Sequence, residues 1–162
     1  MSIQTGYSTK PLPAAASELR EQLGGTQPPL VFFFASDKYD AALVSRDMQL
    51  AFPAACVVGC STAGEIATGQ LLTGSIAAMV LDEDVVEDAV AVVLENLSEG
   101  VTIRDAFANF EQHFQAPATD WDLEKYVGLV LIDGLSGAEE RLMEKLGDAT
   151  DVLFVGGVPA TI

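Results

Sequence analysis

Basic side chains are scarce in this sequence: 8 Lys and Arg stand against 24 Asp and Glu, a formal charge of −16. Phosphate backbones are held by clustered cations, so nucleic acid is excluded as a partner. An anionic membrane surface is disfavoured for the same reason. Histidine is rarer still, with His113 standing alone. Cysteine occurs twice, at 56 and 60, on one apolar run. An extended strand holds two such alpha carbons roughly 13 Å apart, and a disulfide needs less than about 7 Å. One His with two Cys does not complete a tetrahedral zinc site convincingly. No apolar stretch approaches the roughly 20 residues of a membrane span. No charged segment followed by an apolar core opens the chain, as a secretion signal would. These absences lead us to expect a reduced, cytoplasmic setting, no membrane, no metal, and a surface charge that serves solubility.

What is present is apolar: 49% of the 162 residues, enough for one ordinary domain with a real core. Residues 1–12 are polar and Pro-containing and read as an extended lead-in. "AAASELREQL" (14–23) is a helix stopped by Gly24 and Gly25. "LVFFFA" (30–35) is a continuous apolar run, the mark of a strand buried on both faces. Asp37 and Asp40 resemble a capping box for a helix running to about Phe52, before Pro53. "CVVG" (56–59) reads as a second buried strand. "GSIAAMVL" (74–81) and "VVEDAVAVVL" (85–94) flank "DED" as a hairpin would. Thr102 with Asp105 opens a helix carrying Phe107, Phe110 and Phe114 on one face, ended near Pro117. "YVGLVLI" (126–132) is a third strand, with no polar face. Ser136 and Glu139 cap a helix with Leu142, Met143 and Leu146 as its inner stripe, and "VLFVG" (152–156) is the last strand. Strands alternating with helices predict an α/β fold over 1–162 as a single domain. Its layered mixed β-sheet, mainly parallel with one antiparallel hairpin, is flanked by helices.

Four polar motifs each follow a strand: "SDKYD", "CSTAGE", "DGLSG" and "GGVPAT". In an open α/β sheet, ligands bind outside the carboxyl ends of strands, so the shared placement points to a pocket. At 59–65, Gly59 and Gly64 let the backbone approach a ligand. A following helical turn would aim N–H groups at an anion, and Ser61 and Thr62 add hydroxyls. The alternative is a plain cap, with Ser61 or Thr62 on the turn and Glu65 returning the bond. As an enzyme the stretch is misspaced: G-x-S-x-x-G is one residue longer than a nucleophile elbow. A Ser61 nucleophile lacks a nearby base, and Cys60 lacks the cation that would activate it. No dinucleotide fingerprint or phosphate-loop Lys is present. Asp37, Asp40, Glu65 and Asp133 suit an ammonium group, so a zwitterion fits both halves, its carboxylate on turn N–H groups and its ammonium near Asp133 or Glu65. Asp133 and Gly134, and Gly156 and Gly157, also read as ordinary turn chemistry.

"PPLVFFFASDKYD", "VVGCSTAGEI" with an apolar strand pair after it, "DGLSGAEERLMEKL" and "VGG" together resemble the FIST domain family, N-terminal half, over roughly residues 10–157. The resemblance implies a non-catalytic sensory domain binding a small ligand such as an amino acid, in intracellular signal transduction. A signalling protein such as a histidine kinase is its implied partner, and no cofactor is expected. Some relatives are haem-based nitric-oxide sensors; here a haem would need His113 or a cysteine as axial ligand. The motif positions that carry over are Gly59, Cys60, Ser61, Thr62, Gly64 and Glu65, with Asp133, Gly134, Gly156 and Gly157. Family members usually continue after "GG" into a C-terminal half; "GGVPATI" departs from that pattern, so a partner half is expected to be absent. Apolar surface left bare by its absence would favour a homodimer. A Ser61- or Cys60-dependent enzyme and a structural or interaction fragment are the competing readings.

Overall fold

A computed structural model describes residues 3–24, 27–97, 99 and 102–158. The chain forms two compact units, residues 1–91 and 92–162. The class is α/β with a mixed sheet, as the alternation of elements predicts.

The first unit opens on β1 (Ile3–Ser8), followed by α1 (Ala14–Leu23), β2 (Leu30–Ser36), α2 (Ala41–Ala51) and β3 (Cys56–Thr62). A small hairpin of β4 (Glu65–Ala67) and β5 (Gln70–Leu72) then leads into β6 (Ile76–Leu81). The sheet order is β1-β6-β2-β3. β2 and β3 run parallel, while β6 is antiparallel to both β1 and β2. α1 and α2 bury Leu19, Leu23, Val44 and Met48 against Val31, Phe33, Ile76 and Val80 of the sheet. Fully burying a side chain of this size contributes about 1.5–3 kcal/mol.

Four sequence expectations change here. The polar lead-in supplies β1, because alternation in "IQTGYS" suits an edge strand hydrogen-bonded to β6. The cap of α2 is Asp40 alone, whose carboxylate accepts from the Leu43 N–H at 2.9 Å. β6 forms, but 85–94 makes no strand; β6 instead finds its antiparallel partners in β1 and β2, far along the chain. β3 continues three residues past Gly59, to Thr62, because Cys60, Ser61 and Thr62 pair with Phe34, Ala35 and Ser36 of β2.

The second unit contains α3 (Arg104–Phe114), a single 3-10 turn at Ala118–Asp120, β7 (Gly128–Leu131), α4 (Glu139–Ala149) and β8 (Phe154–Gly157). β7 and β8 form a two-stranded parallel sheet. Its core gathers Phe107, Ile132, Leu142 and Leu146. Phe107 stacks on Trp121 at 6.0 Å, and Trp121 in turn stacks on Tyr126 at 5.7 Å. Phe110 and Phe114 join this group edge-on, as the phenylalanine stripe predicts. Neither α3 nor α4 receives a side-chain cap, so the Thr102–Asp105 and Ser136–Glu139 boxes are not made. Ser136 instead donates to the Asp133 carbonyl at 2.6 Å, closing the loop before α4. Met143 lies outside the inner stripe, 44% exposed. No described helix is long and apolar enough to cross a membrane.

Candidate functional site

The motif 59–65 is the end of a strand and a tight connection to a hairpin. Side chains alternate across β3, so Val57, Gly59 and Ser61 share the face toward the helices while Cys56, Val58, Cys60 and Thr62 share the other. Gly59 pairs with Phe33 of β2. A Cβ at position 59 would lie 2.5 Å from three atoms of the Phe33 ring. The ring of Phe33 therefore lies over Gly59 and fills the space its missing side chain leaves. What approaches Gly59 closely is the protein's own core.

No helix follows β3, so the anion-cradling helical turn expected after Gly59 is not built. Glu65, the first residue of β4, is 1% exposed. Its Oε1 accepts from the Thr62 hydroxyl at 2.8 Å. Its Oε2 accepts from the Ser75 hydroxyl at 2.6 Å and the Ser75 backbone N–H at 3.1 Å. Burying a carboxylate is tolerable when charge-assisted hydrogen bonds replace water. The three bonds tie the end of β3, the root of the hairpin and the residue before β6 into one knot. A ligand reaching Glu65 would have to displace one of them. Tyr39 stands beside this knot; burial, and secondarily the charge of Glu65, push its phenol above the ordinary value. Its hydroxyl donates to the carbonyls of Lys10, at 2.9 Å, and Gly74, at 3.2 Å. Tyr39 belongs to "SDKYD" but nothing in that motif marks its role, and Ser75 has no motif in the sequence; the pairing of β6 with β2, which brings Ser75 to Ser36, is what places it.

Ser61 is half-buried at the carboxyl end of β3, and its hydroxyl makes no hydrogen bond among the described residues. It is the one hydroxyl of the motif that the fold does not use. Cys60 is buried and Cys56 half-buried, both free. Burial raises the Cys60 thiol, and burial with the charge of Asp88 raises that of Cys56. That is the opposite direction from an activated nucleophile.

The four strand-end motifs fall into two pairs. "SDKYD" and "CSTAGE" sit at the carboxyl ends of the parallel strands β2 and β3, where the Asp37 N–H donates to the Thr62 carbonyl at 3.2 Å. "DGLSG" and the double glycine belong to the second unit. Asp133 accepts from the Leu135 N–H at 3.0 Å, an ordinary turn bond, and Gly134 beside it is exposed. Gly156 and Gly157 lie within β8, not after it, and the Gly157 carbonyl accepts from Ile132 N–H at 3.1 Å. A Cβ on Gly156 would collide with the Val130 carbonyl, so glycine there permits close strand pairing.

Hollows in the described surface include two that the motif does not reach. One, of about 270 Å³, lies in the first unit beside Arg20, Pro28 and Phe52, with the Arg20 guanidinium 5.3 Å from the Phe52 ring centre. The other, of about 220 Å³, includes Ile132, Met143, Gly156 and Gly157. Residues 59–65 line neither. His113 is exposed on α3, edge-on to Phe114 at 4.9 Å, and lines neither hollow. No group of three or more described His, Cys, Asp or Glu is placed to hold a metal ion.

Among known proteins, the family described as FIST N domain matches residues 29–161 of the chain. No curated protein and no solved structure matches it.

Proposed function

The chain belongs to the FIST N domain family, and from that membership we propose a non-catalytic sensory module that binds a small ligand, an amino acid by preference, in signal transduction. The observation that supports a ligand at the motif is the Ser61 hydroxyl, half-buried at the carboxyl end of β3 and left without an internal partner. Ligands of parallel strands are met at that end. Thr62 and Glu65 act there as the fixed frame, and Gly59, Cys60 and Gly64 as the backbone around the hydroxyl. Asp133, Gly134, Gly156 and Gly157 lie in the second unit, and only the family resemblance offers them as ligand residues. A zwitterion suits the composition: Ser61 can donate to its carboxylate, and the carboxylate excess of the protein favours its ammonium. The reading places the module in the cytoplasm, without a cofactor, reporting to a signalling protein such as a histidine kinase.

Calorimetric titration of the full chain with each standard amino acid is the test. Heat from one or a few, weakened about tenfold by Ser61→Ala at unchanged Tm, is the expected result. Silence across the whole panel overturns the reading.

A further inference from the structure

The parallel pair β7–β8 is covered on one face and bare on the other. Val130, Ile132 and Phe154 turn inward to the aromatic and leucine core, and Val152 is buried as well. The alternate residues turn outward: Val127, Leu129, Leu153 and Val155 are 61, 49, 67 and 45% exposed. Leu129 pairs with Val155 across the ladder, and Gly128 with Phe154, so Val127 and Leu153 stand side by side one step earlier. The result is a two-by-two apolar patch on one face of the sheet. Parallel strands are ordinarily buried on both faces, with helices as the covering layer. A two-stranded sheet alone is only marginally stable in water.

The rim of the patch selects what can cover it. Exposed Asp122 and Glu124 precede β7 and exposed Asp151 precedes β8. The cation among them, Lys125, is 3.9 Å from Asp122. Residues 92–162 carry thirteen Asp and Glu against four Lys and Arg. A second copy would bring −16 against −16, and like-charge juxtaposition suppresses wrong partners.

We propose that the outer face of β7–β8 docks an amphipathic helix of a partner protein, its apolar stripe laid on Val127, Leu129, Leu153 and Val155 and its flanks carrying Lys and Arg. The apolar patch supplies the burial and the acidic rim the orientation and encounter rate. The surface stands independently of any ligand at Ser61.

Two fluorescent helical peptides test it, sharing one leucine stripe but flanked by Lys in the first and by Glu in the second. Anisotropy with the full chain should show the Lys-flanked peptide binding at least about tenfold more tightly, with the margin shrinking in high salt. Leu129→Lys with Val155→Lys should abolish that binding, and Val127→Lys with Leu153→Lys, on the same patch, should do so too. The far-UV circular dichroism of each variant reports whether the fold is kept. Equal binding of both peptides, no binding of either, or binding untouched by a folded double variant overturns the proposal. So does a dimer in light scattering that either double variant dissolves, since the occupant would then be a second copy.

Discussion

In the first unit, Leu30–Ser36 has a strand on each side and two helices packed over one face; in the second, Gly128–Leu131 has one neighbouring strand and one covered face. The two runs look alike in sequence, each a short apolar stretch ending in an aspartate within two residues. The polar sequels of β3, the parallel neighbour of β2, and of β7 differ as well. After β3 the fold turns a carboxylate inward and gives it three hydrogen bonds. After β7 it leaves Asp133 to close a half-exposed turn. The difference teaches that an apolar run followed by polar residues specifies a strand end, but not whether its chemistry serves the core or the surface.

The contrast can be broken most forcefully at Leu19, which is wholly buried. Leu19→Ala should lower stability by about 2–5 kcal/mol in denaturant unfolding. The knot at the motif comes next. Glu65→Ala leaves the Ser75 N–H and hydroxyl without an acceptor and Thr62 with only its longer bond to the Ala35 carbonyl, at 3.4 Å, a loss of about 1–3 kcal/mol by the same measurement. If the carboxylate were a ligand group held in reserve, its removal would leave stability unchanged. Gly59→Val drives a side chain into the Phe33 ring and should destabilise by about 1–3 kcal/mol, whereas Gly157→Ala, with nothing within 4 Å of its Cβ, should be near neutral. Hydrogen exchange sharpens the comparison further, with amides of β2 outlasting those of β7.

The smallest effect is on the thiols. Both folded values lie above the ordinary 9.0, so the fold favours the protonated form. That contribution is intact below the ordinary value and is lost as pH rises through the folded one. Alkylation should therefore be slow near neutral pH, Cys56 reacting before the more buried Cys60, and should accelerate only in the alkaline range where stability begins to fall.

The sequence pattern reveals elements whose reasons are local. α1 runs from Ala14 to Leu23 as its apolar spacing and following glycines require, and the Phe107–Phe110–Phe114 stripe finds its core. It conceals what depends on distant partners. β1 carries few apolar residues and is a strand because β6 lies beside it. The stretch 85–94 has a strand's composition but no ladder to join. At the motif, the glycines and hydroxyls are visible as a cluster, yet their division of labour is not. Gly59 answers to Phe33, Thr62 to Ala35 and Glu65, and Glu65 to Ser75, contacts set by the strand order.

The ring of Phe33 over Gly59 has an evolutionary corollary. Positions 33 and 59 share one volume, so they are expected to drift together: a relative with a side chain at 59 should carry a smaller residue at 33. A lineage would keep this glycine for as long as it kept the aromatic, whatever became of the hydroxyls beside it. The glycine of the motif is thus a marker of ancestry in the sheet, while the fate of Ser61, which no packing contact fixes, is the better record of the ligand proposed for it.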